Sequence, residues 1–128
     1  MEKTYEYYNP NPTSKGEKKK WHRGDCVIRA FCCALNKSWG TVYSGLCEIG
    51  LTMFDMPNSD RVIDAYAKKN GLEKVSLPDY QTLETFADTH SGTYVCRVRN
   101  HLVCVKDNLI RDVWNCGKYK VKTVYKKA

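Results

Sequence analysis

The sequence predicts an α+β fold, a helical N-terminal half packed on a C-terminal antiparallel β-sheet. Apolar residues recur at helical spacing between residues 25 and 90. From Gly92 onward the chain becomes short β-branched and aromatic runs separated by turn residues. With 128 residues, 42% of them hydrophobic, the chain is large enough to bury one core without disulfide or metal support. Residues 1–128 therefore read as a single domain.

The first 23 residues, rich in Pro, Asn, Lys and Tyr and lacking any period, read as an irregular basic arm laid over the surface. Regular structure starts with "DCVIRAFCCALN" (25–36). There Val27, Ile28, Phe31, Ala34 and Leu35 repeat as one helical face, Asp25 stands at the N-cap and Asn36 near the end. A second helix follows in "SWGTVYSGLCEIGL" (38–51), with Ser38 as cap and Val42, Leu46 and Ile49 at i, i+4 and i+7. "SDRVIDAYAKKNG" (59–71) repeats the pattern with Ser59 as cap and Gly71 as stop, and "PDYQTLETFADTH" (78–90) gives a fourth, shorter helix. The strands are "GTYVCRVR", "HLVCV", "LIRDVW" and "KYKVKTVY", with a tight turn in "KDN" at 106–108.

Charge is lopsided, 21 Lys+Arg against 14 Asp+Glu, a net +7. Much of the excess lies in "KGEKKKWHR" (15–23) and "KYKVKTVYKK" (118–127). Such runs contact phosphates in some proteins, but a solvated surface is their commoner meaning. No hydrophobic stretch approaches the roughly 20 residues of a membrane span, and the polar start "MEKTYEYYNPNP" is no signal peptide.

Seven cysteines, at 26, 32, 33, 47, 96, 104 and 116, form no CxxC pair and no repeating interval, so neither a disulfide framework nor a zinc ribbon is indicated. A zinc site from Cys32, Cys33, Cys47 and a histidine is disfavoured because adjacent helical residues point about 100° apart. The pattern calls for no metal and no cofactor, and a reduced, cytoplasmic protein is expected.

Cys26 differs from the other six by standing at a helix N-terminus, where unpaired N–H groups and the helix dipole favour a thiolate. A thiolate nucleophile needs a base. Of the three histidines, His22 lies in the basic arm and His90 in the "THSG" turn, whereas His101 opens a strand. If the following turn centres on Asp107 and Asn108, Trp114 falls opposite His101, and Asp112 one pair along on the same face. A carboxylate there is placed to orient an imidazole.

A cysteine opening the first helix, a helical half, then a strand-borne His followed by an acid on the next strand resembles the papain-like cysteine hydrolase fold in a compact bacterial or phage form. "GDCVIRA" and "NHLVCVKDNLIRDVW" carry the resemblance, which extends in element order over residues 24–128. It implies that Cys26 attacks an acyl carbon, His101 holds and returns the proton, Asp112 fixes the ring tautomer and Trp114 shields the His–Asp pair. The substrate would be a peptide or protein carrying an amide, isopeptide or thioester bond, and for a phage-encoded chain the location would be the host cytoplasm. The sequence departs from the family at the oxyanion donor: Lys20 stands where a Gln is usual. The Cys26 backbone N–H or the side chains of Asn9 and Asn11 in "NPNP" are the substitutes, although such asparagines ordinarily serve turns. The alternative function is a non-catalytic binding module that uses the basic arm and the nine tyrosines to hold nucleic acid or a partner protein.

Overall fold

Four helices and six strands are found among the described residues of the computed structural model, which are 3–14, 24–76 and 81–128. His22, Lys18, Lys19, Lys20 and the basic run 15–23 lie outside them. In chain order the elements are β1 (Tyr5–Tyr7), a 3-10 turn (Pro12–Ser14), α1 (Cys26–Leu35), α2 (Trp39–Met53), α3 (Asp60–Lys69) and β2 (Leu72–Val75). Then come α4 (Leu83–Thr89), β3 (Thr93–Val98), β4 (His101–Lys106), β5 (Leu109–Asp112) and β6 (Thr123–Lys127). None of the described helices is long and apolar enough to cross a membrane.

Local chemistry explains the helix limits. Ser38, Ser59 and Thr82 each accept a hydrogen bond from the N–H three residues on, a cap that contributes about 1 kcal/mol. Asn36 ends α1 in the left-handed region (φ 54°), a conformation its short polar side chain tolerates. Asp25 holds the N-cap position of α1 as its sequence suggests, but its carboxylate caps nothing.

The sheet runs β1-β5-β4-β3-β6-β2. Four of its five pairings are antiparallel, while β1 lies parallel to β5, so the sheet is mixed rather than antiparallel throughout. Asp107 and Asn108, both at positive φ (54° and 65°), form the two-residue turn between β4 and β5, as a primed turn demands. Asn108 ties the hairpin to α4 by donating to the Ala87 carbonyl at 2.9 Å.

Each face of the sheet carries a core. On one, Phe31 and Ala34 of α1, Val42 and Leu46 of α2, and Ile63 and Tyr66 of α3 pack on Val95, Leu102, Cys104 and Tyr125. On the other, Leu83, Phe86 and Ala87 of α4 pack on Cys96, Val98, Val103, Val105 and Val124. Successive residues of β4 thus alternate between two apolar layers, which is why "HLVCV" is almost continuously hydrophobic.

Three boundaries differ from the sequence expectation. Residues 3–14 are not an irregular arm: Tyr5–Tyr7 is an edge strand whose order comes from pairing with β5, which no local period reveals. β2 was not anticipated because "LEKV" is short and half charged, as edge strands are. The last strand starts at Thr123 instead of Lys118. Val121 is buried, but its N–H goes to the Gln81 carbonyl rather than into the ladder.

Candidate active site

The site lies where β4 begins, β5 ends and the N-terminus of α1 meets the sheet. Cys26 is the first residue of α1 and is partly exposed; Cys47 is the other partly exposed cysteine, and the remaining five are buried. His101 is the first residue of β4 and is buried. Asp112, the last residue of β5, is buried as well. The register Cys104↔Arg111, Val105↔Ile110, carried one residue further along the two strands, puts Asp112 on the face of His101.

Nε2 of His101 stands 2.5 Å from Oδ2 of Asp112. With that nitrogen engaged, Nδ1 is the ring nitrogen left over, and the Cys26 thiol lies near enough to the ring for each group to shift the other's pKa. The Trp114 ring packs on the imidazole with centroids 5.4 Å apart, and Tyr119 packs edge-on against Trp114 at 5.6 Å. The structure therefore brings together Cys26, His101, Asp112 and Trp114.

Electrostatics follow from this geometry. Burial alone would raise the Cys26 pKa. Hydrogen bonds from His101 and from the Leu102 backbone N–H, with the charges of His101 and Arg29, outweigh it and hold the thiol below its ordinary value. Burial would likewise lower the His101 pKa, yet hydrogen bonds to Asp112, Cys116 and Cys26 and the charge of Asp112 push it up to about 11. Both shifts favour a thiolate facing an imidazolium. Elsewhere burial pushes Cys32 up to about 11 and raises Cys96 and Cys116. Cys33 is lowered, first by its hydrogen bond with Cys104, but it is buried inside α1.

Asp112 is the most heavily braced residue of the site. Its Oδ1 accepts from the Val113 N–H at 2.7 Å and lies 3.2 Å from Nη2 of Arg29. Its carbonyl accepts from the Tyr5 hydroxyl and from the Tyr8 N–H, both at 2.9 Å. The edge strand β1, paired at Tyr7↔Asp112, is thus what holds the carboxylate-bearing end of β5.

Both asparagines proposed as oxyanion donors make local hydrogen bonds. The Asn9 Oδ1 accepts from the Asn11 N–H in a local turn. The Asn11 amide donates to Oδ2 of Asp25 at 3.1 Å, while its Oδ1 accepts from the N–H and hydroxyl of Thr13. Asn11 is buried, and its amide is engaged at the start of α1 by Asp25. His90 is also accounted for locally, stacked on Phe86 at 4.1 Å.

Sequence reasoning missed Arg29 and Cys116. The i, i+4 spacing of Asp25 and Arg29 in "DCVIR" was the available signal for the first. Cys116, with Sγ 3.8 Å from Oδ2 of Asp112, comes from an irregular segment and carried none. The donor atoms of His101, Asp112 and Cys116 lie within 4.8 Å of one another, the arrangement among the described residues best able to hold a metal ion. The fit is poor. Two ligands on a tetrahedral zinc stand roughly 3.3 Å apart, whereas Nε2 and Oδ2 are locked in a 2.5 Å hydrogen bond with a guanidinium beside the same carboxylate.

No protein-family model matches the chain, and no match was found among curated proteins or solved structures.

Proposed function

We propose that the protein is a cysteine-dependent acyl hydrolase or acyltransferase on a papain-like scaffold, acting on an amide, isopeptide or thioester bond of a peptide or protein. The observation that carries this reading is the Cys26–His101–Asp112 chain. It sets a partly exposed thiol at a helix N-terminus beside an imidazole whose Nε2 is held by a buried carboxylate. The Cys26 thiolate adds to the acyl carbon, and the carbonyl oxygen gains negative charge at the helix N-terminus. In this reading the backbone N–H groups of the first turn of α1 are the oxyanion donors. Collapse expels the leaving group, which takes its proton from His101, and leaves an acyl thioester on Sγ. Water, or an acceptor amine or thiol, then loses a proton to His101 and attacks the thioester, releasing the product and the thiolate. Trp114 covers the His101–Asp112 pair and keeps water from competing for their hydrogen bond.

An activated ester tests this without a known substrate. With p-nitrophenyl acetate, a burst of p-nitrophenolate and an acetyl group mapped to Cys26 are expected. Equal release by Cys26→Ala, or no acetyl on Cys26, would contradict the reading.

A further inference from the structure

Arg29 is buried one turn along α1 from Cys26. A fully buried arginine is uncommon unless paired, and this one is paired twice. Nη1 engages Oδ1 of Asp25, and Nη2 lies 3.2 Å from Oδ1 of Asp112. A single guanidinium therefore joins the residue that starts the nucleophile's helix to the carboxylate that orients the base. Asp25, Arg29, Asp112 and a protonated His101 form a string of alternating charges that sums to zero.

The cost of this arrangement is visible at Asp25. An N-cap aspartate ordinarily turns its carboxylate onto the first N–H groups of its helix. Here Arg29, Trp39 Nε1 at 2.9 Å and Asn11 Nδ2 at 3.1 Å draw the carboxylate away, so no side-chain cap forms. A negative cap would sit beside the Cys26 sulfur and oppose its ionisation; with the carboxylate withdrawn, the helix terminus acts on the thiol instead. Nε of Arg29 is buried with no partner among the described residues, so the two carboxylates alone fix the guanidinium.

We propose that Arg29 is a positioning residue for Cys26, clamping Asp25 and Asp112 together so that the start of α1 is held against the His101–Asp112 pair and freed from its own cap. The proposal rests on the cysteine-nucleophile reading above. Arg29 acts through the two carboxylates; the groups facing the thiol itself are His101 and the Leu102 N–H from β4 and the charge of Arg29 from its own helix.

The test is the pH profile of Cys26 alkylation by iodoacetamide, mapped by mass, with circular dichroism as a check on folding. Arg29→Lys keeps the charge but cannot fork to two carboxylates. It is expected to move the midpoint of the profile up by about one pH unit and slow alkylation at pH 6.5 about tenfold. D25N/R29Q, which removes one charge of each sign, is expected to do the same. Trp39→Phe, which removes only one anchor of Asp25, should shift the profile the same way by less, and it decides the matter if both Arg29 variants unfold. Wild-type profiles in the folded variants would overturn the proposal while leaving the nucleophile reading intact. A wild-type Cys26 with the reactivity of an ordinary thiol would overturn both.

Discussion

His101 and Asp112 are eleven residues apart in sequence and 2.5 Å apart in space, joined through Nε2 and Oδ2 across the β4–β5 hairpin. The two-residue turn at Asp107 and Asn108 makes the pairing obligatory: with both residues at positive φ, the register carries the end of β5 back to the start of β4.

Asp112→Asn keeps the shape of the side chain and removes its charge. Arg29 loses one of its two carboxylates and His101 loses its anion, so a destabilisation of about 3–5 kcal/mol is expected, as for other broken buried pairs. The His101 pKa should fall from its raised value. Chemical denaturation and NMR titration of the ring check the two effects separately.

Stability should depend on pH through the same histidine. The His101 pKa is raised in the folded protein to about 11, from an ordinary value of about 6.5. Its contribution is therefore complete below about pH 6.5 and is lost as pH rises toward about 11. Cys26 runs the other way: with its pKa lowered, its contribution is complete above about pH 8.5 and is lost as pH falls through the folded value. The difference in Tm between wild type and His101→Ala should accordingly narrow between pH 7 and 11. A difference that stays constant or widens would count against the imidazolium.

The placement of Cys26, His101 and Asp112 was legible because each depends on a local rule. A capped amphipathic helix places the cysteine, and a two-residue turn with strict alternation places the other two. The parts that brace Asp112 were not legible. Tyr5 and Tyr8 reach Asp112 through a parallel edge pairing more than 100 residues away in sequence, and nothing in "TYEYYNPNP" encodes that partner. Asp25 was legible as an N-cap position, but its side chain is claimed by Arg29, Trp39 and Asn11, a tertiary competition that local propensity cannot register. Cys116 joins the site from a segment without regular structure.

Phe31 fixes α1 in the core, fully buried and edge-on to Tyr66 at 4.9 Å. Phe31→Ala should cost about 3–5 kcal/mol by leaving a cavity under the helix that carries Cys26. Urea denaturation of the variant measures the loss, and a cost under about 1 kcal/mol would mean that α1 is held by something other than this packing.

The central claim, that Cys26 is a nucleophile ionised by His101, is tested most directly by competitive iodoacetamide labelling of the native protein across pH, read for each cysteine by mass mapping. Cys26 should be alkylated fastest near neutral pH, ahead of Cys47 and of the buried five, with a profile midpoint below that of an ordinary thiol. An ordinary thiol is only a few per cent ionised at pH 7, so His101→Ala should slow Cys26 by roughly tenfold or more there and leave Cys47 unchanged. Uniform labelling of Cys26 and Cys47, or a Cys26 rate that His101→Ala does not alter, would contradict it.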